Sequence, residues 1–153
     1  MTTITELAKQ AKVTEEQIRR RYRDIPGITK GENGELIIPD GTRYPARKLR
    51  NITTQDEKLY ALLKAISEYR YIDEHMLAIP VESFNLLINE LLAHNWIQPN
   101  GINNPYGANG YDATLTGSML VKKRRKQAVQ EIANVIGGAA GAFAGNMINA
   151  MNQ

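Results

Sequence analysis

The stretch Leu7-Ala8-Lys9-Gln10-Ala11-Lys12-Val13-Thr14-Glu15-Glu16-Gln17-Ile18 breaks its helical phase in the middle. Ile4, Leu7, Ala8 and Ala11 recur at helical spacing, Val13 and Thr14 interrupt, and Ile18 and Tyr22 resume the period. Thr14 followed by Gln17 has the form of a capping box, in which hydroxyl and amide each satisfy an orphan backbone N–H at a new helix start. The spacing predicts two short helices, 4–11 and 15–23, joined by a tight turn. Burying Ile18 and Tyr22 turns Gln17 and Arg20 outward, with Arg19 and Arg23 beside them. Arginine fills four of the five positions 19–23.

Working outward, Ile25-Pro26-Gly27 ends the second helix. Lys30-Gly31-Glu32-Asn33-Gly34-Glu35-Leu36-Ile37-Ile38-Pro39 then reads as a hairpin turning at Asn-Gly. A basic stretch, Ala46-Arg47-Lys48-Leu49, closes this block.

The residues at positions 7, 8, 11, 13, 14 and 18 resemble the Leu-Ala…Val-Ser…Ile/Val pattern of prokaryotic helix-turn-helix proteins. Two positions depart from it. Lys12 stands where that family usually has a glycine in a left-handed turn, and a lysine taking that conformation would cost about 1 kcal/mol. Arg21 stands where an apolar residue is common. With the hairpin and the basic stretch added, residues 1–50 resemble the small winged domains of phage excisionases and mercury-resistance-type regulators. In those domains the second helix enters the major groove and the wing follows the backbone or minor groove. The resemblance implies that Thr14, Gln17, Arg19, Arg20 and Arg23 face DNA, and that Lys30, Arg43, Arg47 and Lys48 hold phosphates around the wing. The plainer alternative makes the arginine run a solvated helix face.

Residues 51–120 read as helix, short helical segment, helix and hairpin. Leu59, Leu62, Leu63 and Ile66 form one stripe; a short segment at 73–78 follows; Phe84, Leu87, Ile88, Leu91 and Leu92 form a second stripe over 81–94. Trp96-Ile97 opens an extended piece, Asn100–Gly110 is a turn-rich loop, and Tyr111 begins a returning strand that runs into a further helix. This order, with Leu115-Thr116-Gly117 at its end, is similar to the winged-helix domains of bacterial transcription regulators. Asn95 occupies the place of their left-handed glycine. Its would-be recognition helix carries Glu82 and Glu90 and no Lys or Arg. Phosphates would repel it, so the expected role is dimerisation or contact with a protein partner.

Charge supports that division. Residues 1–50 hold eleven Lys/Arg against seven Asp/Glu, residues 51–120 hold three against eight, and 121–126 add five cations with no acid. The chain has no cysteine and two histidines, so disulfides, thiolate metal sites and cysteine nucleophiles are excluded. His75 and His94 are read as structural. No phosphate loop, nucleophile–base pair or paired carboxylates at a recognisable spacing is present, so neither catalysis, a cofactor nor a metal is expected.

Lys122-Lys123-Arg124-Arg125-Lys126 leads into an apolar tail in which Gly137, Gly141 and Gly145 stand four apart, with Phe143 on the greasier side. That spacing fits a close helix–helix contact with a second copy. An interfacial helix anchored on anionic lipid by the five cations, docking on the protein's own core, and disorder are the other readings; the basic run would also suit DNA phosphates. The start of the chain lacks a signal-peptide pattern, so the expected location is cytoplasmic, with the tail as a route to the membrane.

The fold class expected is therefore mostly α with small β-hairpin wings (α+β): winged-helix-like modules at 1–50 and 51–120, then a basic linker and helical glycine-zipper tail at 121–153. The expected function is double-stranded DNA binding of bacterial, phage or plasmid type, as an oligomeric transcription regulator. A DNA-packaging or replication accessory factor and a membrane-associated adaptor are the alternatives.

Overall fold

The computed structural model describes residues 1–49 and 52–147, the last ten of these as helix backbone alone. Among the described residues the chain is a mixture of six α-helices and two small antiparallel hairpins. Their side chains bury into two hydrophobic cores, one from residues 7–44 and one from residues 59–132.

The first core is built from local signals. Helix α1 (Ile4–Ala11) starts on a capping box between Thr3 and Glu6 and buries Leu7, Ala8 and Ala11. Helix α2 (Glu15–Arg21) starts on the box between Thr14 and Gln17 and buries Ile18. A short 3₁₀ turn, Tyr22–Asp24, prolongs it, so the predicted end at 23 is helical but tighter than α. Gly27, at φ 99°, lets the chain reverse. Strands β1 (Thr29–Lys30) and β2 (Leu36–Ile37) then pair across the Gly31–Gly34 turn, with Gly34 at φ 83°. Thr2 bridges to Ile38, and Tyr44 closes this core.

Between α1 and α2, Lys12 takes the left-handed conformation at φ 57° and ψ 43°. The N–H of Val13 donates to Ala8 O and that of Lys12 to Lys9 O, which satisfies carbonyls the helix end would otherwise leave open. Lysine pays a backbone penalty there that glycine does not. Lys12→Gly is accordingly expected to stabilise the fold by about 1 kcal/mol. Urea denaturation measures it, and an unchanged or lower midpoint would refute the cost assigned to this turn.

The second core is organised by helix α3 (Gln55–Ser67), which is buried on more sides than its predicted stripe. Leu59, Leu62, Leu63 and Ile66 are inaccessible, and Tyr60, Ala61 and Ala65 are buried too. Glu57 closes its capping box, and the backbone N–H groups of Thr54 and Thr53 hold its carboxyl down to about 2. The short helix expected at 73–78 is instead a turn, in which Asp73 accepts the N–H of Met76 and Ala78 sits at φ 56°. Pro80, which caps the next helix, leaves too little room for another one. Helix α4 (Val81–Ala93) buries Phe84, Leu87, Ile88 and Leu91, and Asn95 takes the left-handed position after it at φ 57°.

Strands β3 (Ile97–Pro99) and β4 (Tyr111–Ala113) form the second hairpin, with Gln98 opposite Asp112. Thr114 caps helix α5 (Leu115–Val121), so the returning strand ends sooner than its sequence pattern suggests. Helix α6 (Arg125–Met147) follows after three residues. Ala128 and Ile132 are fully buried in the second core, and Val129 and Ile136 pack against it. The expected tail thus divides: its start completes the core that begins with α3, and a unit ending at residue 120 would leave that surface open. Gly137 is exposed, and a Cβ there would meet nothing within 4 Å. The expectations for Gly141, Phe143 and Gly145 concern positions whose surroundings lie outside the described residues. No described helix is long and apolar enough to cross a membrane.

Candidate nucleic-acid interface

Capping fixes α2, and its arginines follow from that orientation. Ile18 points into the first core, which leaves Arg19, Arg20 and Arg23 exposed. Arg19 pairs with Glu15 one turn earlier at 3.2 Å, an exposed pair of little energetic weight. Arg20 has no hydrogen bond or ion pair among the described residues. Thr14 and Gln17 are partly engaged: Thr14 Oγ1 accepts the N–H of Gln17 at 3.1 Å, and Gln17 Oε1 accepts the N–H of Thr14 at 2.8 Å. The amide nitrogen of Gln17 keeps its donors.

Arg21 is as exposed as Arg19 but is held by partners on a different side. Its guanidinium lies 5.6 Å from the centre of the Tyr44 ring and pairs with Asp24 at 3.6 Å. Stacking on the Tyr44 ring lets Arg21 stay half in water at a position where the pattern that residues 7–18 resemble has an apolar side chain.

The helix and the first hairpin meet at Tyr22. Arg23 stands 5.7 Å and Lys30 5.9 Å from its ring centre, so cations from two elements converge on one aromatic. A hydrogen bond from Arg23 holds the Tyr22 hydroxyl below the ordinary phenol range, and the charges of Arg23 and Lys30 add to this.

The other expected phosphate contacts separate. Lys30 stays on the hairpin. Arg43 does not reach it: only 3% exposed, it donates from Nη2 to Tyr111 O at 2.9 Å and to Asp112 Oδ1 at 2.8 Å. Its place in the seam between the two cores removes it from the surface expected to hold phosphate. Arg47 and Lys48 are exposed on the connector and line a cleft with Lys12, Lys64, Arg70 and Arg125. In the basic run, Lys123 Nζ contacts both oxygens of Glu131 at 2.6 and 2.8 Å, and Arg125 pairs with Glu57 at 3.4 Å. Lys122, Arg124 and Lys126 are exposed.

Lys64 and Arg70 carry no local sequence signal that would have joined them to a site. Arg70 is brought there by tertiary bonds, to Ala11 O at 2.7 Å and Pro45 O at 3.0 Å. On the second core, α4 presents Glu82 and Glu90 and no cation, while Leu86, Leu115 and Met119 are exposed. No family model, curated protein or solved structure matches the chain.

Proposed function

We propose that the chain binds double-stranded DNA through α2 and the first hairpin, in the manner of a winged helix-turn-helix, and acts as an oligomeric regulator. The observation that carries this is the exposed Arg19–Arg20–Arg23 face of a helix fixed by a capping box and continued through Tyr22 to Lys30 of the hairpin. Such a face supplies phosphate contacts from its flanks and a guanidinium, Arg20, that has no ion pair among the described residues and is able to meet a guanine edge with two hydrogen bonds. The α4 face, which carries Glu82 and Glu90 and no Lys or Arg, and the exposed Leu86, Leu115 and Met119 support a role in assembly rather than in DNA contact.

Selection of bound duplexes from a random pool by the full chain tests this, followed by titration of the selected sequence. One or more enriched motifs are expected. Arg20→Ala is expected to weaken binding to them by about 1–3 kcal/mol and relax preference at one position. No enrichment, or the same affinity for every duplex before and after the change, would show that α2 does not read bases.

A further inference from the structure

The cleft between the two cores has a composition that the DNA-binding surface does not use. It encloses about 660 Å³, within the size range of small-molecule sites. One wall is the end of α1 and its turn, Gln10–Lys12; the other is the Tyr60–Ala65 face of α3; the connector residues Ala46–Leu49 run along it. The larger part of its lining is apolar, from Ala11, Leu49, Ile52, Tyr60, Ala61 and Ala65. Cations stand around it, Lys12, Arg47, Lys48, Lys64, Arg70 and Arg125, against Glu68 as the one carboxylate among the described residues that line it.

Those cations are incompletely neutralised. Lys64 has Glu68 at 3.6 Å and Arg125 has Glu57 at 3.4 Å, but Lys12, Arg47 and Lys48 make no ion pair among the described residues. Arg70 is fixed by the carbonyls of Ala11 and Pro45 and by the Tyr44 ring at 5.4 Å, which orient its charge without cancelling it. Burial, and then repulsion from Arg47, disfavour the Arg70 charge, and Glu68 offsets this only in part. Like charges gathered over an apolar floor repel one another until an anion sits between them. A DNA backbone has only its deoxyribose carbons to set into such a recess. An organic anion with an apolar body gains from both.

We propose that this cleft is a binding site for a small amphipathic organic anion: a carboxylate, phosphate or sulfonate on an aromatic or aliphatic body, its charge on Arg47, Lys64 and Arg70 and its body on Tyr60, Ala61 and Ala65. The site stands whether or not α2 reads DNA.

Anilinonaphthalene sulfonate is the probe, titrated by fluorescence and calorimetry against the folded full chain. Saturable binding at one site per chain is expected, at least tenfold tighter than that of uncharged phenylnaphthylamine. Arg47→Gln with Lys64→Gln should weaken it at least tenfold, whereas Lys9→Gln with Lys58→Gln, which removes the same charge elsewhere, should leave it unchanged. Ala61→Phe, which fills the floor and keeps the cations, should also weaken it at least tenfold. Non-saturating binding, equal loss in both charge variants, or full affinity in Ala61→Phe would overturn the site. So would displacement of the probe by a stoichiometric DNA duplex or by anionic vesicles, since the cleft would then serve a phosphate surface.

Discussion

Arg43→Ala is expected to lower the unfolding free energy by about 3 kcal/mol, although the sequence offers Arg43 as a surface cation. Its guanidinium is buried in the seam between the two cores, bonded to the Tyr111 carbonyl and the Asp112 carboxylate, and lies 5.2 Å from the centre of the Tyr69 ring. Burial pulls its pKa down and the charge of Asp112 pulls it back, so the pair stands or falls together. Removing one partner of a buried pair costs about 3–5 kcal/mol. Asp112 is 35% exposed and can be rehydrated, which places the expected cost at the low end of that range. Urea denaturation at neutral pH, monitored by Trp96 fluorescence and by circular dichroism, measures it. A loss below about 1 kcal/mol would mean that the pair does not hold the seam. Arg43→Met with Asp112→Asn removes both charges and should cost less than Arg43→Ala, because no ion is then stranded.

The same residue shows where sequence reasoning runs out. Helices α1 and α2 were legible because each signal is local: a threonine three residues before its amide, apolar positions one turn apart, a residue forced into a left-handed turn. Asn33-Gly34 and Asn95 were legible for the same reason, since their backbone geometry selects their residue type. Arg43 was not legible. Its partner lies 69 residues away, and nothing around Thr42-Arg43-Tyr44 distinguishes a buried arginine from an exposed one. Arg21 departs from the pattern in sequence, and the Tyr44 ring it lies against enters only in three dimensions. In sequence the start of α6 reads as a linker because small residues and a basic run stand there, whereas Ala128 and Ile132, with Val129 and Ile136 beside them, seat the helix in the second core, which was one of the open readings of the tail. The basic cleft assembles residues from four separate parts of the chain, so no window along the sequence contains it.

Those tertiary contacts also bear on how the two halves act together. Arg43 and Arg70 both cross the seam: one reaches from the first core to the second hairpin, the other from the end of α3 back to the end of α1. Arg70 reaches the residue before the turn that leads into α2. The two cores are therefore joined by two fixed arginines as well as by the connecting chain. If α2 reads DNA, the geometry between two such helices in an oligomer would be set by the second core, and loosening the seam would blur half-site spacing before it abolished binding.

Gly117→Ala is expected to destabilise the chain by about 3 kcal/mol, at the upper end of what overpacking costs. Helix propensity taken alone predicts the opposite sign. Gly117 is a buried position inside α5, where alanine is favoured over glycine by about 1 kcal/mol. Its φ is not in the left-handed region, so backbone freedom gives no reason for glycine. The reason is what lies opposite. A Cβ at this position would overlap the Trp96 carbonyl oxygen, with the carbonyl carbon at 2.9 Å and Cα at 3.1 Å. These are backbone atoms, and they cannot rotate away as a side-chain tip would. They are also pinned: the N–H of Trp96 donates to Leu91 O, its carbonyl accepts the N–H of Thr114, and Thr114 Oγ1 donates to Asn95 O at 2.6 Å. Accommodating one methyl therefore requires α5 to move off the second hairpin or the Asn95 turn to open, and either loses several of these bonds. The steric cost outweighs the propensity gain. Thermal and urea unfolding of Gly117→Ala, set beside Ser118→Ala one residue along the same helix, separates the two effects. A Gly117→Ala protein as stable as the parent would show that α5 does not pack against Trp96 as closely as its backbone separation indicates.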